Sequence, residues 1–239
     1  MTEATTACVL IIGNEILSGK TQDRNLQFMG EAFARLGIKL AEARIIRDEP
    51  ETIIAVVNEC RANHDYVFTT GGIGPTHDDL TAESIARAFG VALVRNEDAA
   101  NRIASGGREL NEARLKMAMI PEGASLIDNP ISHAPGFRIE NVFVMAGIPK
   151  IARAMFEAVE PELSGGAPIL SDSVDIYASE GDIAAPLDGI ARRYADLEIG
   201  SYPFSRDGRY GASIVVRGTG RNRIAAALGE IRTALLPGG

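Results

Sequence analysis

No tryptophan occurs among the 239 residues, aromatics make up only 5%, and there are just two cysteines. So few rings leave little material for platforms that stack single-stranded bases. A formal net charge of −8 excludes a protein that coats nucleic acid, because binding the phosphate backbone needs a basic face. Small anions stay open, since a local nest of main-chain N–H groups holds a phosphate whatever the global charge. No apolar run approaches the ~20 residues of a membrane span. The short polar start, Met-Thr-Glu-Ala-Thr-Thr, lacks the basic and apolar parts of a signal peptide. Cys8 and Cys60 lie inside apolar periodic segments, in neither metal-like nor disulfide-like spacing. They read as small core residues in a reducing compartment. These absences predict a cytoplasmic protein with no nucleic-acid partner and no membrane partner. What is present is a chain 46% hydrophobic, enough for one good core and a smaller second one.

Apolar runs at residues 7–12, 38–46, 65–69 and 141–145 read as buried strands. Between them, residues 25–36, 49–63, 81–89 and 150–163 carry apolar positions three and four apart, the period of amphipathic helices. A short strand is expected near 91–94, and residues 96–118 read as helical with a break at Gly106-Gly107. The Pro- and Gly-rich stretch 120–139 reads as irregular. Strand and helix alternating at this rhythm predict an α/β fold, a parallel-rich sheet with helices on both faces. Composition breaks at Ser164-Gly165-Gly166-Ala167-Pro168, which reads as a linker. Beyond it, strand 171–178, helix 183–194, strands 198–203 and 210–217 and helix 222–236 make a small βαββα domain. The expected domains are residues 1–165 and 170–239.

The stretch "VLIIGNEILSGKT" looks like a triphosphate loop, but its spacing fails. Such a loop needs Gly, four residues, then Gly-Lys-Ser/Thr. Counting back from Gly19-Lys20-Thr21 puts Asn14 where the first glycine belongs, and Gly13 stands one residue early. Successive N–H groups must curl round the phosphate, so the register slip removes the loop's function.

The informative stretch is "TTGGIGPTHDDLT", residues 69–81, between a predicted central strand and a helix, where α/β proteins bind ligands. Gly71, Gly72 and Gly74 allow close approach of backbone to an anion, helped by the helix N-terminus that follows. Asp78 and Asp79 beside such a nest are electrostatically awkward unless a divalent cation intervenes. A tight connection with Asp79 or Thr81 as helix N-cap explains the same loop without a ligand.

"TTGGIGPTHDDLT" closely resembles the signature of the MoaB/MogA molybdopterin-binding fold, in the form found in the N-terminal part of CinA proteins. "GNEILSGKTQDRN", "NEARLKMAMIPEGASLIDNPISHAPGF" and "MAGIPKIARAM" resemble further segments of that family, in the same order, over roughly residues 7–163. The tail is similar in length and pattern to the small α/β module that follows in CinA-like proteins. The amidase domain of full-length members has no counterpart in the sequence. The resemblance implies a molybdopterin or nucleotide ligand, a divalent metal (Mg²⁺, with Mn²⁺ or Co²⁺ as substitutes) and a homo-oligomer. In some members it implies hydrolysis of dinucleotide pyrophosphates such as ADP-ribose or FAD. It implies that Gly71, Gly72, Gly74 and Thr76 cradle phosphate, with Asp78 beside them. Asp79 is implied as the metal or catalytic carboxylate and Asp48 as the second catalytic acid. Gly13, Asn14 and Glu15 would form a wall at the end of the first strand, and Gly136 and Gly147 would give backbone access.

Several of these residues have a plainer reading. Asp48 with Glu51 makes a capping box, Glu15 fits a solvated loop carboxylate, and Asp23 and Asn25 fit turn and N-cap roles. His77 has no second His or Cys to make a metal pair. The sequence also departs from the family pattern: Asn14 replaces an aspartate, Ala146 a proline and Ile151 a glutamate. Asp48 and Asp79 favour a metal-dependent pyrophosphatase, whereas the three departures favour a binding module without turnover. Adenylyl transfer to molybdopterin is the further alternative.

Overall fold

The computed structural model describes residues 4–107 and 109–236. The chain divides into two compact units, Met1–Gly166 and Ala167–Gly239. The first unit is built on a six-stranded mixed sheet of order β2-β1-β3-β8-β7-β6. Its strands are β1 Thr6–Ile12, β2 Lys39–Ile46, β3 Tyr66–Thr70, β6 Ser125–Ile127, β7 Gly136–Ile139 and β8 Val142–Met145. Strands β2, β1, β3 and β8 run parallel, while β7 and β6 are antiparallel additions. A separate two-stranded ribbon pairs β4 Leu93–Arg95 with β5 Met119–Pro121.

Strand β1 is buried on both faces, which is why it reads as an unbroken apolar run. Its side chains alternate between two cores. Cys8, Leu10 and Ile12 face α3 Pro50–Asn63 and α4 Thr81–Phe89, packing with Ile53, Val57 and Ile85. Ala7, Val9 and Ile11 face α2 Asn25–Arg35 and α7 Pro149–Val159, packing with Met29, Phe33 and Phe156. On that second face Phe68 of β3 stacks on Phe143 of β8, with centroids 4.6 Å apart and planes 9° from parallel. Phe33 and Phe156 close around the pair. The scarce aromatics are thus concentrated behind the central strands, each contributing a large buried area.

The remaining helices of this unit are the single-turn α1 Asn14–Leu17, α5 Glu97–Ser105 and α6 Glu112–Lys116. The break at Gly106-Gly107 separates α5 from α6. One expectation is corrected: the stretch 120–139 holds the end of β5 and all of β6 and β7 rather than irregular chain. These strands are three or four residues long, too short for a readable period. Their pairing through Phe137↔Val144 and Leu126↔Phe137 defines them, a tertiary cause rather than a local one.

The second unit is a βαββα arrangement of β9 Leu170–Ile176, α8 Glu180–Arg193, β10 Glu198–Arg206, β11 Arg209–Gly218 and α9 Arg221–Leu235. Its antiparallel sheet has the order β10-β11-β9. Ile176, Ile214 and Val216 meet Ile183, Ile190, Leu228 and Ile231 in a core of its own. Among the described residues no helix is long and apolar enough to cross a membrane.

Candidate functional site

The four parallel strands deliver their carboxyl ends to one edge of the sheet. The chain leaves β1 toward β2 on one side and β3 on the other, so a crevice opens between the loops at that point. The cleft there has a volume of about 630 Å³, the size range of small-molecule sites. Its lining comes from the first unit alone and includes Glu15, Asp48, Asp78, Asp79 and Arg114.

The glycine loop is shaped by close main-chain approach. Gly71 has φ +104°, and a Cβ there would lie 2.1 Å from the Ile12 carbonyl oxygen. Gly72 has φ +68°, and its Cβ would lie 2.1 Å from Thr81 Oγ1. No L side chain fits either position without strain. The Gly71 N–H donates to the Met145 carbonyl at 3.1 Å, so any anion is met by the main chain beyond it. Thr81 is the first residue of α4 rather than its cap. Its hydroxyl donates to the Gly71 carbonyl at 3.0 Å and its N–H to the Gly72 carbonyl at 3.0 Å. The helix therefore starts against the loop, and Ala82 and Glu83 of its first turn line a smaller hollow beside the cleft.

Asp79 does not cap α4 either. Its Oδ2 accepts from the Thr76 N–H at 2.8 Å and the Thr76 hydroxyl at 2.6 Å, which closes the 76–79 turn. Gly74 packs on that carboxylate, where a Cβ would come within 2.6 Å of Oδ2. Lys116 donates to the Thr76 carbonyl from the other side. Thr76 and His77 are exposed, and Thr76 is absent from the cleft lining while Asp78 belongs to it.

Asp48 is the most informative acid. The capping box is not formed, because Glu49 occupies the N-cap of α3 without a side-chain bond. Asp48 instead reaches across to the neighbouring strand end, where its Oδ2 accepts from the Asn14 N–H at 2.8 Å. Its carboxyl is pushed above the usual range, first by burial, against the lowering effect of that hydrogen bond. The negative charges of Glu15, Asp78 and Asp79 push it further. Gly13 is buried, its N–H bound to the Ile46 carbonyl at 3.1 Å. The Glu15 carboxylate folds over Gly13, where a Cβ would lie 2.7 Å from its Oε1. Asn14 is exposed and opens α1.

Gly147 lines the cleft, whereas Gly136 does not. Gly136 is buried in β7, where a Cβ would sit 2.4 Å from the Val144 carbonyl, so strand pairing explains its glycine. Asn25 is not an N-cap either, since Arg24 holds that position. Buried to 4% exposure, Asn25 donates from Nδ2 to the Gly147 carbonyl at 2.9 Å, and Asp23 takes the local role by accepting from the Leu26 N–H. Asn25→Ala should therefore cost about 1–3 kcal/mol by orphaning a bond at the cleft floor. Urea unfolding measures the cost, and a loss under about 0.5 kcal/mol, the order of magnitude of surface changes, would remove Asn25 from the site's support.

Three residues in or beside the cleft lie within "NEARLKMAMIPEGASLIDNPISHAPGF", but local pattern does not single them out. Arg114 lines the cleft and Lys116 an adjoining smaller hollow, both half-buried, and they supply cationic charge opposite the acids. Asn129, 2% exposed, holds the 129–134 turn by accepting from the N–H groups of Ile131 and Ser132 and donating to the Ala134 carbonyl. A search for charges that offset the acids would have found Arg114 and Lys116.

The residues fit a hard divalent cation in type, since carboxylate oxygens suit Mg²⁺ or Mn²⁺, and Mg²⁺ beside a phosphate needs only one or two of them. They do not form a closed cage. Among the described residues, no three cleft carboxylates bring donor atoms within 4.8 Å of one another.

Comparison with known proteins agrees with this fold. Residues 8–165 match the family described as a probable molybdopterin binding domain. Residues 168–239 match the middle domain of FAD synthase. A protein of Archaeoglobus fulgidus is 35% identical over 195 residues, covering 82% of this chain and 84% of the relative. A probable FAD synthase of Caenorhabditis elegans is 29% identical over 263 residues, covering 98% of this chain and 51% of that protein. The crystal structure of the protein CinA from Thermoplasma acidophilum superposes with a TM-score of 0.63 at 34% identity, covering 66% of this chain and 98% of that one.

Proposed function

The chain belongs to the probable molybdopterin binding domain family, in its CinA-type form, and from that premise we propose that its cleft binds a molybdopterin- or nucleotide-type ligand and hydrolyses a pyrophosphate bond with a divalent metal. The observation that carries this reading is Asp48. It is a half-buried acid whose ionisation is opposed by burial and by the charges of Glu15, Asp78 and Asp79, which line the same cleft. Ionising it there is unfavourable unless positive charge arrives, and a cation-bound phosphoanhydride brings that charge.

The chain's own residues have distinct tasks in this reading. Main chain from Gly72 to Gly74 and the start of α4 receive phosphate oxygens. Arg114 and Lys116 offset charge on the same phosphates. Asp48 and Asp79 hold the cation, and Asp48, fixed by the Asn14 N–H, also orients the attacking water. When bound, the metal supplies Lewis-acid polarisation of the phosphoryl group. Ala146, Ile148, Ile151 and Met155, which line the cleft, offer an aliphatic wall for a flat ring.

The test is incubation of the chain with ADP-ribose, FAD, or ATP plus pterin, with Mg²⁺, Mn²⁺ or Co²⁺. We expect metal-dependent AMP release. Asp79→Asn keeps an acceptor oxygen for Thr76 yet removes the charge, and should slow release by about 100-fold or more. Undiminished release would overturn the site assignment. The open arrangement of the carboxylates favours one rival, binding without turnover. Calorimetric binding with no product from wild type would establish that rival, and adenylated pterin would identify a transferase.

A further inference from the structure

Cys8 and Cys60 lie 52 residues apart in sequence, yet β1 and α3 bring their sulfurs to 3.5 Å. Both are buried, at 0% and 1% exposure. Glu42, the residue of β2 paired with Cys8, adds a carboxylate. Each of the three offers a donor atom, and these atoms lie within 4.8 Å of one another. His64 follows Cys60 by one helical turn, and its Nε2 sits 3.3 Å from Glu42 Oε2. Its Nδ1 is buried with no hydrogen-bond partner among the described residues. None of the four lines the cleft.

We propose that Cys8, Cys60 and Glu42, completed by His64, form a site for a thiophilic divalent cation of the Zn²⁺ class. Two thiolates, a carboxylate and an imidazole are the donor set that suits tetrahedral zinc. Bonds of about 2.3 Å to sulfur place two sulfurs about 3.8 Å apart in a tetrahedron, close to the separation here. A disulfide requires about 2.05 Å. His64 lies outside the converged group of three and reaches it through Glu42, so its ring turns on binding.

Arg44 completes the electrostatics. Its Nε donates to Glu42 Oε1 at 2.6 Å and its terminal nitrogens hold Glu59. Glu42 Oε1 is thereby taken, and Oε2, which faces His64 Nε2, is the oxygen that turns to the cation, while Arg44 steers the carboxylate as an outer-shell partner does. Two thiolates and one carboxylate on a divalent ion carry one net negative charge, beside a guanidinium that is shared with Glu59. Cation entry releases two protons, one from each sulfur.

The chain has no other cysteine, so one spectrum decides. The full chain is produced in minimal medium supplemented with Co²⁺, purified under reducing conditions and desalted. The expected result is Co²⁺ retained through desalting, with a thiolate-to-cobalt charge-transfer band in the near ultraviolet and intense visible bands of a tetrahedral centre. Cys8→Ser and Cys60→Ala should each abolish the charge-transfer band. Glu42→Gln should weaken cobalt retention against a chelator by about 10-fold or more. Asp79→Asn, in the cleft, should leave the spectrum unchanged. Wild-type chain with both thiols free by titration and no such band would overturn the proposal. So would a chain lighter by two hydrogens with no free thiol, which would make the pair a disulfide.

Discussion

Replacing Asp48 with asparagine should abolish most turnover and, at neutral pH, leave the protein as stable as wild type or more so. Asparagine keeps an oxygen for the Asn14 N–H but loses the charge that holds a cation, and a loss of about 100-fold or more in kcat is expected. The stability effect follows from the raised pKa of the native carboxyl. A carboxyl that binds its proton more tightly when folded contributes stability below its unfolded value, about 3.9. That contribution disappears as the pH rises through the folded pKa. The substituted amide does not titrate and undergoes no such loss. The melting temperatures of the two proteins should therefore coincide in acid and separate as the pH rises past about 3.9. Above the folded pKa the gap should stay constant, with the variant higher. Mg²⁺ should narrow it by binding only the wild-type cleft. A variant that melts lower than wild type at neutral pH, without metal, would show that the Asp48 charge is structural.

Gly71→Ala should be the most destabilising single methyl in the cleft. A φ of +104° is strained for any L side chain, and the new Cβ would meet the Ile12 carbonyl at 2.1 Å, an atom of backbone that cannot swing away. Ile12 ends β1, whose neighbour Ile11 pairs with Thr70 of β3, so relief requires the two central strands to part. A cost of about 3–5 kcal/mol is expected, combining backbone strain with the clash. Gly90→Ala supplies the comparison. Gly90 also has positive φ, +66°, with nothing near its added Cβ, and should cost only about 1 kcal/mol. Urea unfolding followed by near-ultraviolet ellipticity measures both. Equal costs would mean that the strand ends yield, and that the cleft is softer than its packing implies.

The architecture was legible where local pattern and tertiary role agree. β1 and β3 are buried on both faces and read as apolar runs, and α4 ends at Phe89 before a left-handed Gly90, as its sequence suggests. Legibility failed where a contact across the chain overrides a local cue. Asp48 sits in a sound capping pattern, yet it bonds a main-chain N–H 34 residues away. Asn25 has the residue type of a cap but serves the Gly147 carbonyl 122 residues away. Arg114 and Lys116 belong to a short helix inside the family-like segment 111–137, but only folding brings them to the cleft and its adjoining hollow. Cys8 and Cys60 were readable as core residues, but their mutual contact depends on where α3 lies over β1. The glycine loop was the part of the site most open to reading, because main-chain approach demands glycine and therefore marks the sequence.

The Asp48–Asn14 bond also bears on how freely the family's sequences can drift. Position 14 contributes its N–H, a group that every residue except proline carries. An asparagine in place of the aspartate of relatives leaves this tie intact, because the tie never involved the side chain. The side chain at position 14 can therefore be exchanged to change charge at the cleft mouth without touching the bond that anchors Asp48. Proline alone is barred.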